Sequence, residues 1–242
     1  MKFGDEGIII DVKKYGESSL IIKVFTQQNG IYRGFIKSAK SSKQRSLYQI
    51  GNLISFEFIA RLEESLGSFI NVDLIESFCS KIIFEKLKLD CVRSLFSMLD
   101  SLFLEREEQK NLFAQLKNFL SNITKDETKK AKIIADYIRL ELGILSALGY
   151  GLDLSCCAAT NSEVDLKFVS PKSGRAISLH AGMPYQNKLL KLPDFLIAEN
   201  EDPQSSCLLE GLKLSGFFLE KFLMQESRSS KFLLRGNVLK HC

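Results

Sequence analysis

Over residues 1–76 the apolar positions alternate with polar ones at a period of two. In GIIIDVKKY, Ile8, Ile10 and Val12 are expected on one face. ESSLIIKVFT sets Leu20, Ile22 and Val24 against Ile21, Lys23 and Phe25, and GIYRGFIK sets Tyr32 and Ile36 against Arg33, Phe35 and Lys37. NLISFEFIARLEES places Ile54, Phe56, Phe58 and Leu62 opposite Glu57, Arg61 and Glu63, and GSFINVDLIESF supplies a fifth segment. Five short alternating runs separated by Gly, Asn and Ser predict a small β-barrel. Five strands in under eighty residues fit an OB-fold, whose closure leaves no exposed edge.

From residue 78 the period lengthens to three and four. Phe84, Leu87, Cys91, Leu95, Met98 and Leu102 form one helical stripe, and Leu112, Leu116, Phe119 and Ile123 a second. Ile134, Tyr137, Ile138, Glu141, Leu145 and Leu148 form a third, stopped by Gly149 and Gly151. Residues 152–204 break the pattern: Pro171, Pro184, Pro193 and Pro203 all lie here, and DLKFVS with GRAISL reads as a β-hairpin. A last helix from Ser206 to about Met224 carries Leu208, Leu209, Leu212, Phe217, Leu219 and Phe222. The fold class expected is α+β: a five-stranded OB-fold barrel over 1–77, then an α-helical domain over 78–242. The latter carries a small irregular, hairpin-bearing insertion at about 152–204.

Composition alters this picture in one place. The chain of 242 residues has a net charge of only +4, yet residues 18–56 contain six cations and no Asp or Glu. At the chain's average acidic content such a window would hold roughly five. If Ile22 and Val24 fill the barrel, Lys23 and Phe25 point outward beside Arg33, Phe35 and Lys37, and the following loop adds Lys40, Lys43 and Arg45. Cations interleaved with aromatics suit single-stranded nucleic acid, because the cations follow phosphates while bases stack on rings. The opposing interpretation packs both phenylalanines under the helical domain and leaves the lysines solvating a loop. Lys129, Lys130 and Lys132 form a second, better-balanced cluster.

Other chemistry is thin. The six cysteines lack regular spacing, so reduced thiols are expected. Cys156–Cys157 has no second Cys or His pair to complete a zinc site, and Cys157 with His180 lacks a third group to orient the base. Glu63–Glu64 and Glu107–Glu108 lie on solvated segments, and no phosphate-binding loop occurs. No catalytic residue, metal or cofactor is therefore expected. The acidic start MKFGDEGIII and the interrupted apolar runs predict a cytoplasmic protein with no membrane partner. Arg139, in YIRLELGILSALGYG, sits among apolar positions, where a guanidinium can hold a peptide carboxylate or pair with Asp136.

Three stretches together resemble the RecO family of bacterial recombination and repair mediators: residues 7–52, LELGILSALGYGLDLSCC, and VSPKSGRAIS followed by KLPDFLI. The resemblance spans nearly the whole chain. It implies an OB-fold followed by a helical domain, binding of single- and double-stranded DNA, and annealing of complementary strands. It also implies loading of RecA onto strands covered by single-strand-binding protein, with RecR and that protein's acidic C-terminal tail as partners. By position, the basic loop around Lys37–Arg45 matches the family's DNA-binding part, and Arg139 its site for the tail. Cys156 or Cys157 matches the first cysteine of zinc-bearing members, but the later pair is missing, so the chain looks like the metal-free branch. The alternatives at this point are an RNA-binding OB-fold protein and a non-catalytic interaction scaffold.

Overall fold

The computed structural model describes residues 1–37, 42–62, 65–198, 203–226 and 234–241, with the backbone alone at 42–44. The chain divides into two compact units, Met1–Lys125 and Asp126–Cys242. The change from strands to helices at 77 thus precedes the division between units, because the first long helices pack with the barrel.

In the first unit, β1 (Lys2–Tyr15), β2 (Ser19–Thr26), β3 (Gly30–Ile36), β4 (Asn52–Ile59) and β5 (Gly67–Ser77) close into a barrel of order β1-β2-β3-β5-β4. β3 pairs with β5 in parallel and every other pairing is antiparallel. The short helix α1 (Ser42–Leu47) joins β3 to β4. Alternation fills the interior as expected: Ile22, Val24, Tyr32, Ile36, Ile54, Phe56 and Phe58 form the core together with Ile9 and Phe69. Its rings meet edge-on, as Tyr32–Phe58 does at 4.9 Å between centroids.

β1 departs from expectation. A bulge between Ile9 and Asp11 leaves Ile10 as the extra residue, so Ile9 pairs with Val24 and Val12 with Ile22. The bulge shifts the alternation by one position. Ile9 and Val12 therefore face the barrel core, not Ile8, Ile10 and Val12 together. Leu62, expected inward on β4, lies beyond that strand and is exposed.

The barrel's outer wall carries a second apolar row. Ile8 stands opposite both Phe25 and Leu53, and Phe25 opposite Ile31; all four are buried. A barrel so clothed must be covered, and α2 (Phe78–Lys81) leads to the helices that do it. α3 (Lys86–Leu102) packs against β1, and Phe113 of α4 (Lys110–Ile123) meets Phe25 edge-on at 5.6 Å. The segment between α3 and α4 runs beside β3, where Arg106 N–H donates to the Ile31 carbonyl at 2.9 Å. Gly30, at φ +81°, permits this approach: a Cβ there would lie 2.0 Å from the Glu107 carbonyl oxygen. Phe84, expected in the first stripe, precedes α3 and is 98% exposed.

In the second unit, α5 (Lys130–Ala147) packs on α7 (Ser205–Gln225). α5 ends as the glycines predict: Gly149 adopts φ +84°, Tyr150 N–H donates to the Leu145 carbonyl, and Gly149 N–H to that of Ser146. The expected hairpin is β6 (Leu166–Val169) with β7 (Ala176–Ser178); α6 (Leu179–Gly182) follows, and β8 (Leu190–Lys191) adds a third strand beside β6. On α7 the inward ring is Phe218, while Phe217 is partly exposed. α8 (Arg235–Leu239) is tied to α5 by Arg235, whose Nε donates to Glu141 Oε1 at 2.7 Å.

Candidate nucleic-acid interface

The structure separates the sequence-selected cations into two groups. Lys23 and Arg33 stand opposite each other on β2 and β3, but neither faces open solvent alone. Lys23 is ion-paired with Asp100 of α3, and Arg33 Nε lies 3.3 Å from Glu105. Phe25, expected to point outward as a stacking ring, is fully buried against Phe113. The correction has one cause: the apolar row on the outer wall draws α3 and the following segment across β1–β3, and these bring their carboxylates with them.

The second group lies further along. Lys37 is exposed at the end of β3, and Arg45 is exposed on α1. Phe35 is half-buried and meets the exposed Tyr15 edge-on at 5.2 Å. Lys40 and the side chain of Lys43 fall outside the described residues. The chain around Lys37 and Arg45 frames two hollows, of about 300 and 440 Å³. Lys37 lines the first; Lys14, Arg45 and Glu17 line the second; Tyr48 lines both. Tyr48 also packs against the barrel core, and burial raises its hydroxyl pKa, keeping it neutral. Lys14 and Tyr48 were missed at the level of sequence. The available signal was an aromatic three residues after Arg45 in the basic stretch RSLYQIG.

In the second unit, Arg139 donates to Asp136 Oδ1 at 2.7 Å and to the Phe195 carbonyl at 2.6 Å, with its guanidinium 5.6 Å from the Phe195 ring centroid. The intrahelical pair weighed from sequence is thus present, and the guanidinium remains about one-third exposed.

Cys157 is buried, with Ser178 N–H donating to its Sγ at 3.2 Å, and His180 is exposed. Among the described residues no group of three or more His, Cys, Asp or Glu is placed to hold a metal ion. Burial pushes the Cys157 thiol up, but the Ser178 and Thr160 side chains and the N–H groups of Ser178 and Ala159 outweigh it and bring the pKa down to about 6. A depressed folded-state pKa contributes stability above the unfolded thiol value of about 8.5, and that contribution is lost as pH falls through 6. The melting temperature of the native chain, taken relative to Cys157→Ala, is therefore expected to rise between pH 6 and 8.5. A pH-independent difference would show that the sulfur is not held as a thiolate.

Comparison with known proteins divides the chain near the change from strands to helices. The family model described as recombination protein O N terminal matches residues 1–78, and that described as recombination protein O C terminal matches 87–229. A protein of Rickettsia canadensis named DNA repair protein RecO is 39% identical over 231 residues, covering 96% of this chain and 93% of its own. Proteins of the same name from Rickettsia felis and Rickettsia bellii are each 38% identical, covering 96% and 94% of this chain and 94% and 92% of theirs.

Proposed function

The chain belongs to the RecO family, and from that premise we propose that it is a non-catalytic mediator of DNA repair and recombination in the cytoplasm. It binds single- and double-stranded DNA, anneals complementary strands, and helps load RecA where single-strand-binding protein covers the DNA. The observation that carries this reading is the gathering of Lys14, Lys37 and Arg45 around two hollows beside the barrel; Lys37 and Arg45 belong to a stretch whose own sequence supplies no carboxylate between Glu17 and Glu57, and Glu17 lines the hollow of Lys14 and Arg45.

The physical logic is electrostatic. Two complementary strands repel through their phosphates, and cations held on a rigid barrel relieve that repulsion while releasing condensed counterions. In this reading the cations assigned to phosphate are Lys14, Lys37, Lys40, Lys43 and Arg45, while Lys23 and Arg33 face Asp100 and Glu105. RecR and the acidic tail of single-strand-binding protein are the protein partners in this reading. Arg139 meets the tail's carboxylate, exchanging an intrahelical pair of the kind worth about 0.3–0.5 kcal/mol. No zinc is assigned. Among the described residues no helix is long and apolar enough to cross a membrane.

The test is a fluorescence annealing assay on strands coated with single-strand-binding protein, with and without its acidic tail. Annealing of coated strands is expected to need the tail, and Arg139→Ala to fail on coated strands while still annealing bare ones. With three to five phosphates neutralised, log affinity for single strands should fall with log salt at a slope of about −2 to −3.5. A nearly flat salt response, or coated-strand annealing indifferent to the tail, would overturn the assignment.

A further inference from the structure

Tyr48 is the one residue that lines both hollows. Each hollow pairs an apolar lining with a basic residue. On one side lie Ile36, Phe69 and Val72 with Lys37; on the other, Val12 and Leu20 with Lys14 and Arg45. The larger also carries the Glu17 carboxylate, which sets a like charge against any phosphate placed beside it. Their volumes, about 300 and 440 Å³, fall at the lower end of those that take small ligands. The ring itself is held by the barrel core, so little conformational freedom is left to lose when a ligand stacks on it.

We propose that Tyr48 is a base-stacking platform: a base of single-stranded DNA enters a hollow and lies against the Tyr48 ring, with its flanking phosphates on Lys37, Lys14 and Arg45. This rests on the DNA-binding reading above and assigns the aromatic contact that the burial of Phe25 removed. The ligand class follows from the chemistry: flat apolar faces suit a base of any sequence, and cations beside them suit a phosphodiester and not a neutral aromatic. Duplex DNA hides its base faces, so the platform is specific for single strands.

The chain contains no tryptophan, so Tyr48→Trp introduces a single indole reporter. Its emission is expected to quench on titration with an oligothymidine and to saturate together with the anisotropy of a labelled strand. Tyr185→Trp, exposed in the second unit, should not quench. Tyr48→Phe should bind like the native chain. Tyr48→Leu keeps apolar packing but loses the flat ring, and should bind about tenfold more weakly. An indole at position 48 that stays unquenched at saturating DNA overturns the platform, whatever the leucine variant does. Failure of the native chain to bind the strand at all at low salt removes the parent reading and this one together. Binding without quenching removes this one alone.

Discussion

Replacing Lys37, Lys40, Lys43 and Arg45 together by Glu is expected to abolish strand annealing while leaving the far-ultraviolet helical signal unchanged. Sequence-independent binding to DNA is almost entirely electrostatic, and the substitution turns four cations into four anions on one stretch. A loss of affinity for single strands of more than about 100-fold follows. The informative contrast is Lys23→Ala with Arg33→Ala. Those two cations face Asp100 and Glu105 and hold α3 and the segment after it against the barrel. Partly exposed pairs of this kind contribute about 0–1 kcal/mol each, so the double variant should lose a little stability and change annealing less than about threefold. Both are read by oligonucleotide anisotropy and by a strand-annealing time course. Unchanged annealing by a folded fourfold variant would remove the basic stretch from the mechanism. A large annealing defect in the Lys23/Arg33 variant would return β2 and β3 to the DNA surface.

The largest effect on stability is expected at the other end of the chain. Glu141 is fully buried in α5, and its carboxylate is held by Arg235 at 2.7 and 3.1 Å and by the Ser215 hydroxyl at 2.5 Å. Arg235 also donates to the Leu212 carbonyl, and its side chain is 11% exposed. Arg235→Ala leaves a buried carboxylate with a single hydroxyl partner, and removing one member of such a pair costs about 3–5 kcal/mol. Changing both residues, Glu141→Leu with Arg235→Met, should cost much less, because two uncompensated polar groups disappear at once. Gly216→Ala should cost less than Arg235→Ala, since a Cβ there would lie 2.8 Å from Arg235 Nη1, the far end of a side chain that can shift, and alanine favours the helix by about 1 kcal/mol. Urea unfolding of the full chain measures all three. A loss below about 1 kcal/mol for Arg235→Ala would mean that water reaches Glu141 and the pair is not sealed.

Much of the architecture was legible in local order. Alternation at Ile22, Val24, Tyr32, Ile54, Phe56 and Phe58 specifies inward faces, because successive side chains on a strand point opposite ways whatever lies beyond them. The stripes through Leu112–Ile123 and Ile134–Leu145 specify helices for the same reason at a longer period. Gly149 specifies a stop because a left-handed residue costs it nothing. Even the bias of the basic stretch is a property of the chain alone.

Contacts between distant positions were decided only in three dimensions. Asp100 neutralises Lys23 from 77 residues away, and Arg235 meets Glu141 from 94 residues away. Phe25 sits where alternation puts it, on the outer wall, yet it is buried, because Ile8, Ile31 and Leu53 share that wall and together require a cover. Periodicity reports which side of its own element a residue takes; it carries no information about what settles on that side. Tyr48 shows the same limit from the other direction. Its place three residues after Arg45 is its one local mark, and it comes to line two cation-rimmed hollows only because β1, β3, β5 and α1 converge there. The amino-acid order by itself determined the elements, their inward faces and an excess of positive charge. Folding decided that Lys23 and Arg33 meet distant carboxylates, because ion pairing depends on which distant segments meet.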